Sequence, residues 1–281
     1  MFARAPATSA NLGPGFDTLA VALSLYVEVT LELADEFQIS SDGCGAGLHD
    51  DENHLAARVA RGVLGHSNFA LHVSSSIPLS RGLGSSASLA VAAAAAAGSA
   101  DPLSAAAALD GHAENAAASV LGGLVVARVE EQSVVARSLP LDEAWRFVVV
   151  VPDEELATSD ARQALPERVL FSDAVHNLSA LGLLIAGLGD HTKFVVSSME
   201  DVLHQPYRAE LLPFADDLLS TLREAGAAGS CWSGAGSSML GVALSESAAD
   251  VALSAKEFLH TRSIPGEVFT LDADRSGLVT R

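Results

Sequence analysis

The stretch that most constrains this chain is a Gly/Ser loop running directly into a segment of almost pure alanine, leucine and valine. The loop is Pro78-Leu79-Ser80-Arg81-Gly82-Leu83-Gly84-Ser85-Ser86-Ala87-Ser88, and the apolar run continues to Ala97. Alanine is the best helix former, so the low complexity of residues 86–97 predicts a closely packed helix rather than disorder. Glycines let a backbone approach a ligand closely, and successive N–H groups can form an anion-binding nest. A helix starting near Ser86 would aim its free N–H groups and positive dipole end at the same ligand. Two or three serine hydroxyls add donors, and one could reach a metal ion. The physics points to a phosphate cradle.

Two other readings of the loop stay open on these residues alone. Gly82, Gly84 and Ala87 satisfy the dinucleotide fingerprint, with Asp101 at about the expected downstream distance. Asp101 follows a Gly98-Ser99-Ala100 turn rather than a second parallel strand, which weighs against it. A glycine-rich strand–helix turn that binds nothing is the other. No Lys-Ser/Thr follows the glycines, so this is not a Walker A loop, and no G-x-S-x-G elbow occurs.

Around the loop, Val27, Val29, Leu31 and Leu33 alternate with polar residues as a strand should, after what reads as an irregular N-terminal loop. Residues 52–64 and 103–118 read as helices; residues 69–73, 124–129, 133–139 and 147–151 read as strands. Pro152 and a change of composition suggest a domain boundary, giving domains 1–152 and 153–281. The second half reads as three helices, two strands (230–233 and 239–244), a helix and a strand (268–271). Regular βαβ alternation is missing, so the expected class is α+β.

Charge narrows the partners. With 16 Lys+Arg against 35 Asp+Glu, the net charge of −19 disfavours nucleic acid and anionic membranes. No run approaches 18 apolar residues, so no membrane span is expected. Cys44 and Cys231 fit neither a disulfide framework nor a zinc site, and no targeting segment is visible at the N-terminus; a reducing cytoplasm is the expectation. His49, His54, His66, His72, His191 and His260 show no metal-ligand spacing.

Two further motifs bracket the loop: Pro6-Ala7-Thr8-Ser9-Ala10-Asn11-Leu12-Gly13-Pro14-Gly15-Phe16-Asp17, and Gly229-Ser230-Cys231-Trp232-Ser233-Gly234-Ala235-Gly236-Ser237-Ser238. With these three motifs in order, the chain resembles the GHMP kinase superfamily. The first motif, together with segments 111–123, 158–166 and 201–208, is similar to the branch that phosphorylates the side-chain hydroxyl of L-homoserine. The resemblance implies an N-terminal ribosomal-protein-S5-like domain and a C-terminal ferredoxin-like domain. It implies ATP and Mg²⁺ as cofactors, the Pro78–Ser88 loop around the ATP phosphates, and Ser85 and Asp110 near the metal. Asp110 stands where the family has Glu, one methylene longer. Asp17 would pair with the substrate ammonium, Asn11 would orient its hydroxyl, and Arg162 and Arg208 would hold its carboxylate. His112 and Glu114 would line the same pocket, Glu114 replacing the usual Asp. The third glycine loop would buttress the second. Homodimers are frequent among such relatives.

Overall fold

The computed structural model describes every residue except Leu48, His49 and Gln132, and the side chains of all the others except Leu109 and Asp110. Two of the sequence expectations, for Asp110 and His49, therefore lie outside the described side chains. The first sheet contains β1 (Phe2–Asn11), β2 (Gly15–Leu33), β3 (Gln38–Gly43), β4 (Phe69–Ser75), β5 (Leu124–Glu130), β6 (Ser133–Leu139) and β11 (Val279–Thr280). Its order is β11-β1-β2-β4-β3, with β5 and β6 branching from β2. The second sheet runs β10 (Gly266–Leu271), β7 (Trp145–Pro152), β9 (Met239–Leu244), β8 (Gly229–Trp232). This is the expected α+β class.

The N-terminus departs from expectation: β1 is a ten-residue strand, not an irregular loop. Ala3, Ala5, Ala7 and Ala10 are weak strand formers, and Pro6 cannot donate to a ladder. The strand exists because β2 pairs with it along most of its length and helices cover its face. Those helices are α2 (Ser85–Ala96) and α4 (Ala113–Leu121), with α1 (Leu55–Leu64) and α3 (Pro102–Asp110) packed against α2. Ser88 on α2 and Ser119 on α4 both donate to the Pro6 carbonyl, at 2.7 and 3.1 Å. Most of α2 is buried, as its lack of a polar face requires. Its alanines let β1, β2 and the other three helices come close. The single helix expected over 103–118 is two, because Gly111 adopts the left-handed conformation (φ 71°) and ends α3.

The expected boundary at Pro152 falls at the end of β7. Strand β7 belongs to the second sheet, and β11 brings the C-terminus back to the first. Phe147, Val149 and Val151 point into the core under the first sheet; Val148 and Val150 point into the core under α8 (Ala215–Glu224) and α9 (Ala248–Thr261). The alternation along one strand thus serves two cores, and composition alone could not show that the halves share it.

Between β7 and β8 the chain passes through α5 (Thr158–Gln163), α6 (Phe171–Gly189) and α7 (Gln205–Arg208) before α8. No membrane span was expected, yet α6, with 19 residues and a mean hydropathy of 1.3, has the length and apolar character of one. Ser172, Asp173, His176, Asn177 and Ser179 interrupt it. Asn177 is buried and donates to Asp201 Oδ1 (3.0 Å) and to the Pro14 carbonyl (3.3 Å), tying the helix to the protein interior.

Candidate active site

One cavity gathers Asn11, Asp17, His112, Glu114, Arg162 and Arg208, all six candidates from distant parts of the chain. Ser80, Arg81, Gly82, Gly84, Ser85 and Ser86 line it from the phosphate-type loop. The other members of that loop do not line it. Leu83, Ala87 and Ser88 are buried in packing, Ser88 as the tie to β1; Pro78 and Leu79 precede the lining residues in the chain. The loop backbone, with Gly82 at φ 70° and Gly84 at φ 63°, leads directly into the N-terminus of α2. That is an anion-binding arrangement of backbone N–H groups. Arg81 faces the cavity, but its Nε and Nη2 donate to the carbonyls of Pro152 (2.9 Å) and Asp153 (2.6 Å). It staples the loop to the end of β7.

The third glycine loop locks against this one. Ser233 Oγ donates to the Gly82 carbonyl (2.8 Å), and the Ser238 N–H donates to the Arg81 carbonyl (3.3 Å). Trp232 is buried beneath Gly236, where an added Cβ would meet the indole at 2.7 Å. Gly234, Ala235 and Gly236 also reach the cavity wall, beyond a purely buttressing role.

Asn11 and Asp17 both hold positive φ angles, 72° and 51°, a conformation that polar Asn and Asp tolerate better than other L-residues. Asn11 is buried; its Nδ2 donates to the Gly234 carbonyl (2.8 Å) and its Oδ1 accepts from the Asp17 N–H (3.0 Å). The pair therefore forms one rigid corner of the β1–β2 hairpin. Asp17 receives Arg162 Nη2 on both carboxylate oxygens, at 2.9 and 3.0 Å. The two residues expected to bind opposite ends of a substrate are thus paired with each other.

Arg208 is almost fully buried. Its Nε donates to the Ala161 carbonyl (3.2 Å), and its Nη1 donates to the Gly234 carbonyl (3.0 Å) and to His204 Nδ1 (3.2 Å). Burial pulls its pKa down to about 10, with Asp17 opposing, so it stays cationic at neutral pH. Phe16 packs under both guanidinium groups, 5.4 Å from Arg208 and 5.6 Å from Arg162.

Glu114 sits in the first turn of α4 and is 3% exposed. Burial pushes its carboxyl above the usual range; its own backbone N–H, the His112 charge and Arg162 oppose this, and Asp17 reinforces it. Its raised pKa makes a stability contribution that is complete below the unfolded-state value and lost as pH rises through the folded value. Glu114→Gln cannot ionise. Relative to the parent, its melting temperature should therefore rise on going from about pH 4 to about pH 8. A thermal melt series checks this, and an offset independent of pH would count against it.

Sequence reasoning missed Asn115 and Thr158, which also line the cavity. Thr8 Oγ1 donates to Asn115 Oδ1 (2.6 Å), and Asn115 Nδ2 donates to Glu114 Oε1 (3.1 Å). Asn115 lay inside the motif that drew attention to His112 and Glu114, and that was the available signal.

A nucleotide-type glycine loop facing a charged small-molecule pocket across a β-hairpin corner is the site of a small-molecule kinase of the GHMP class. Residues 53–125 match the GHMP kinases N terminal domain and residues 173–259 the GHMP kinases C terminal family. The homoserine kinase of Desulfitobacterium hafniense is 36% identical over 98% of this chain and 97% of its own length. That of Cutibacterium acnes is 39% identical over 84% of this chain and 86% of its own. The crystal structure of homoserine kinase from Cytophaga hutchinsonii superposes with a TM-score of 0.87 at 28% identity, covering 99% of this chain and 96% of that one. Leishmania major mevalonate kinase, at 16% identity and a TM-score of 0.73, shares the fold. This chain belongs to the homoserine kinase family.

Proposed function

We propose that the chain transfers the γ-phosphoryl group of ATP to the side-chain hydroxyl of L-homoserine, yielding ADP and O-phospho-L-homoserine. The observation that carries this is the Asp17–Arg162–Arg208 cluster in the same cavity as the glycine loop. An amino acid offers one ammonium and one carboxylate, so it can take over both halves of the Asp17–Arg162 pair without leaving either charge unmatched. Losing one partner of a desolvated pair is costly, whereas exchanging it for an equivalent charge is not. Arg208 supplies a second, buried cation for the carboxylate.

In this reading Asn11 and Asp17, locked to each other, set the position of the substrate hydroxyl. The loop at residues 80–86 and the start of α2 hold the phosphates. The hydroxyl oxygen bonds to phosphorus as the bond from phosphorus to the bridging oxygen of the leaving ADP breaks, and the hydroxyl proton passes to phosphate or solvent. A loose transition state needs little activation of the nucleophile, so alignment and charge neutralisation supply most of the catalysis. His112 lines the cavity and is the competing idea for a base. For Mg²⁺ the Ser85 hydroxyl lines the cavity, and oxygen ligands suit this hard cation; Asp110, the second expected ligand, has its side chain outside the described ones. Held there, the ion would neutralise phosphate charge.

The test is ADP release with Mg-ATP across homoserine, serine, threonine, mevalonate and galactose. Turnover should be highest on homoserine and lost in Asp17→Ala. Preferred turnover of a compound without an ammonium would overturn the pocket assignment.

A further inference from the structure

Behind the cavity wall, Arg208 meets a buried histidine to which the proposed chemistry gives no part. His204 is fully buried and does not line the cavity. Its Nε2 faces acceptors only: the Gly13 carbonyl at 2.8 Å and Asp201 Oδ2 at 3.5 Å. That nitrogen must therefore carry the proton. A guanidinium has donors and no acceptor, so the contact between Arg208 Nη1 and His204 Nδ1 (3.2 Å) requires Nδ1 to be bare. The network thus specifies one tautomer of a neutral ring. Burial agrees, pulling the imidazole pKa down to about 4 against the opposing effect of Asp201.

The ring is itself held on each side. Asp201 accepts from the backbone N–H groups of Leu203 (3.1 Å), His204 (2.9 Å) and Gln205 (2.7 Å), fixing the entry to α7. Phe16 stacks on the imidazole with centroids 5.0 Å apart and the planes 29° from parallel. Phe16 precedes Asp17, and Gly13 lies in the same hairpin turn, so His204 joins the segment carrying Asp17 to the segment carrying Arg208.

We infer that His204 is a positioning residue for substrate binding: its bare Nδ1 holds the Arg208 guanidinium in the orientation that meets the substrate carboxylate. This rests on the reading of Arg208 as a carboxylate anchor. The acceptor at Nδ1 and the carbonyls of Ala161 and Gly234 engage Nε and Nη1. Among the described residues Nη2 receives no hydrogen-bond partner, which leaves it for the cavity.

The test separates the two ring nitrogens. His204→Asn places an amide oxygen where Nδ1 stood but cannot reach Gly13, whereas His204→Gln can reach Gly13 but offers no acceptor at the Nδ1 position. The KM for homoserine should rise roughly 10-fold in His204→Gln and return most of the way in His204→Asn, with the KM for ATP little changed, as expected for one charge-assisted hydrogen bond. In Arg208→Ala the His204 substitutions should have no further effect on that KM. The reverse order of the two variants would overturn the inference, because the Gly13 tether would then be what matters. Unchanged KM in both, with Arg208→Ala impaired, would overturn the inference alone. Unchanged KM in Arg208→Ala would overturn the anchor reading and the inference with it. Nitrogen NMR of the unmutated protein gives a check independent of folding in the variants: the His204 ring should report protonated Nε2 and bare Nδ1 at neutral pH, and any other state refutes the inference.

Discussion

Gly82→Ala is expected to cut ADP formation about 100-fold and to lower the melting temperature. A Cβ at this position would lie 2.1 Å from the Ser233 carbonyl oxygen and 2.9 Å from the N and O of Gly236. All three are backbone atoms, so no side chain can rotate away to relieve the clash. The φ of 70° adds the left-handed penalty for an L-residue. Together, overpacking and backbone strain should cost roughly 2–5 kcal/mol. The function should suffer more than the fold. To make room, the loop must draw away from residues 233–236 by more than an ångström, carrying the Ser85 and Ser86 N–H groups with it. Displacements of that size cost about 100-fold in rate when alignment is the source of catalysis. Gly182→Ala is the control. It lies within α6, with nothing within 4 Å of the added methyl, and should be neutral to slightly stabilising, by about 1 kcal/mol. ADP release and thermal melts on both variants decide the matter. A Gly82→Ala enzyme with parental turnover would mean that the two glycine loops need not be in register.

The second large effect is expected for Arg208→Ala. The substitution removes a buried cation and leaves the Ala161 and Gly234 carbonyls without one of their donors. A stability loss of about 1–3 kcal/mol follows from buried acceptors left unsatisfied. The KM for homoserine should rise by roughly 10- to 100-fold, the value of a hydrogen-bonded charge pair to a carboxylate, with the KM for ATP little changed. Arg208→Lys should recover little, because an ammonium cannot reproduce a planar fork that bonds two carbonyls and an imidazole at once. A loss confined to stability, with both KM values intact, would remove Arg208 from the substrate site.

The residues that gather in the candidate site were readable before any fold. Gly82 and Gly84 announce a backbone that must approach something closely, and Asn11, Asp17, Arg162 and Arg208 are marked by the motifs around them. The α+β class followed from periodicity and from the irregular order of strands and helices. Strand β1 was not legible, since small residues and a proline carry no strand signal until β2, α2 and α4 pack around them. The break at Gly111 was hidden inside an alanine-rich run, where a single glycine is a weak stop. Strand β7 read correctly as a strand, but nothing in its composition tells which sheet it joins.

Residue chemistry and backbone permissiveness are properties of a position and its near neighbours, so the sequence carries them. Which charges meet is a property of space. Arg162 bonds Asp17 across 145 positions and Arg208 bonds Gly234 across 26, and no local pattern encodes either distance. Protonation belongs to the same class. Nothing about His204 or Glu114 as residues says that one ring stays neutral and one carboxyl titrates high. Burial decides both, because removing water penalises the charged form, and burial exists only once the two sheets have closed around the hairpin.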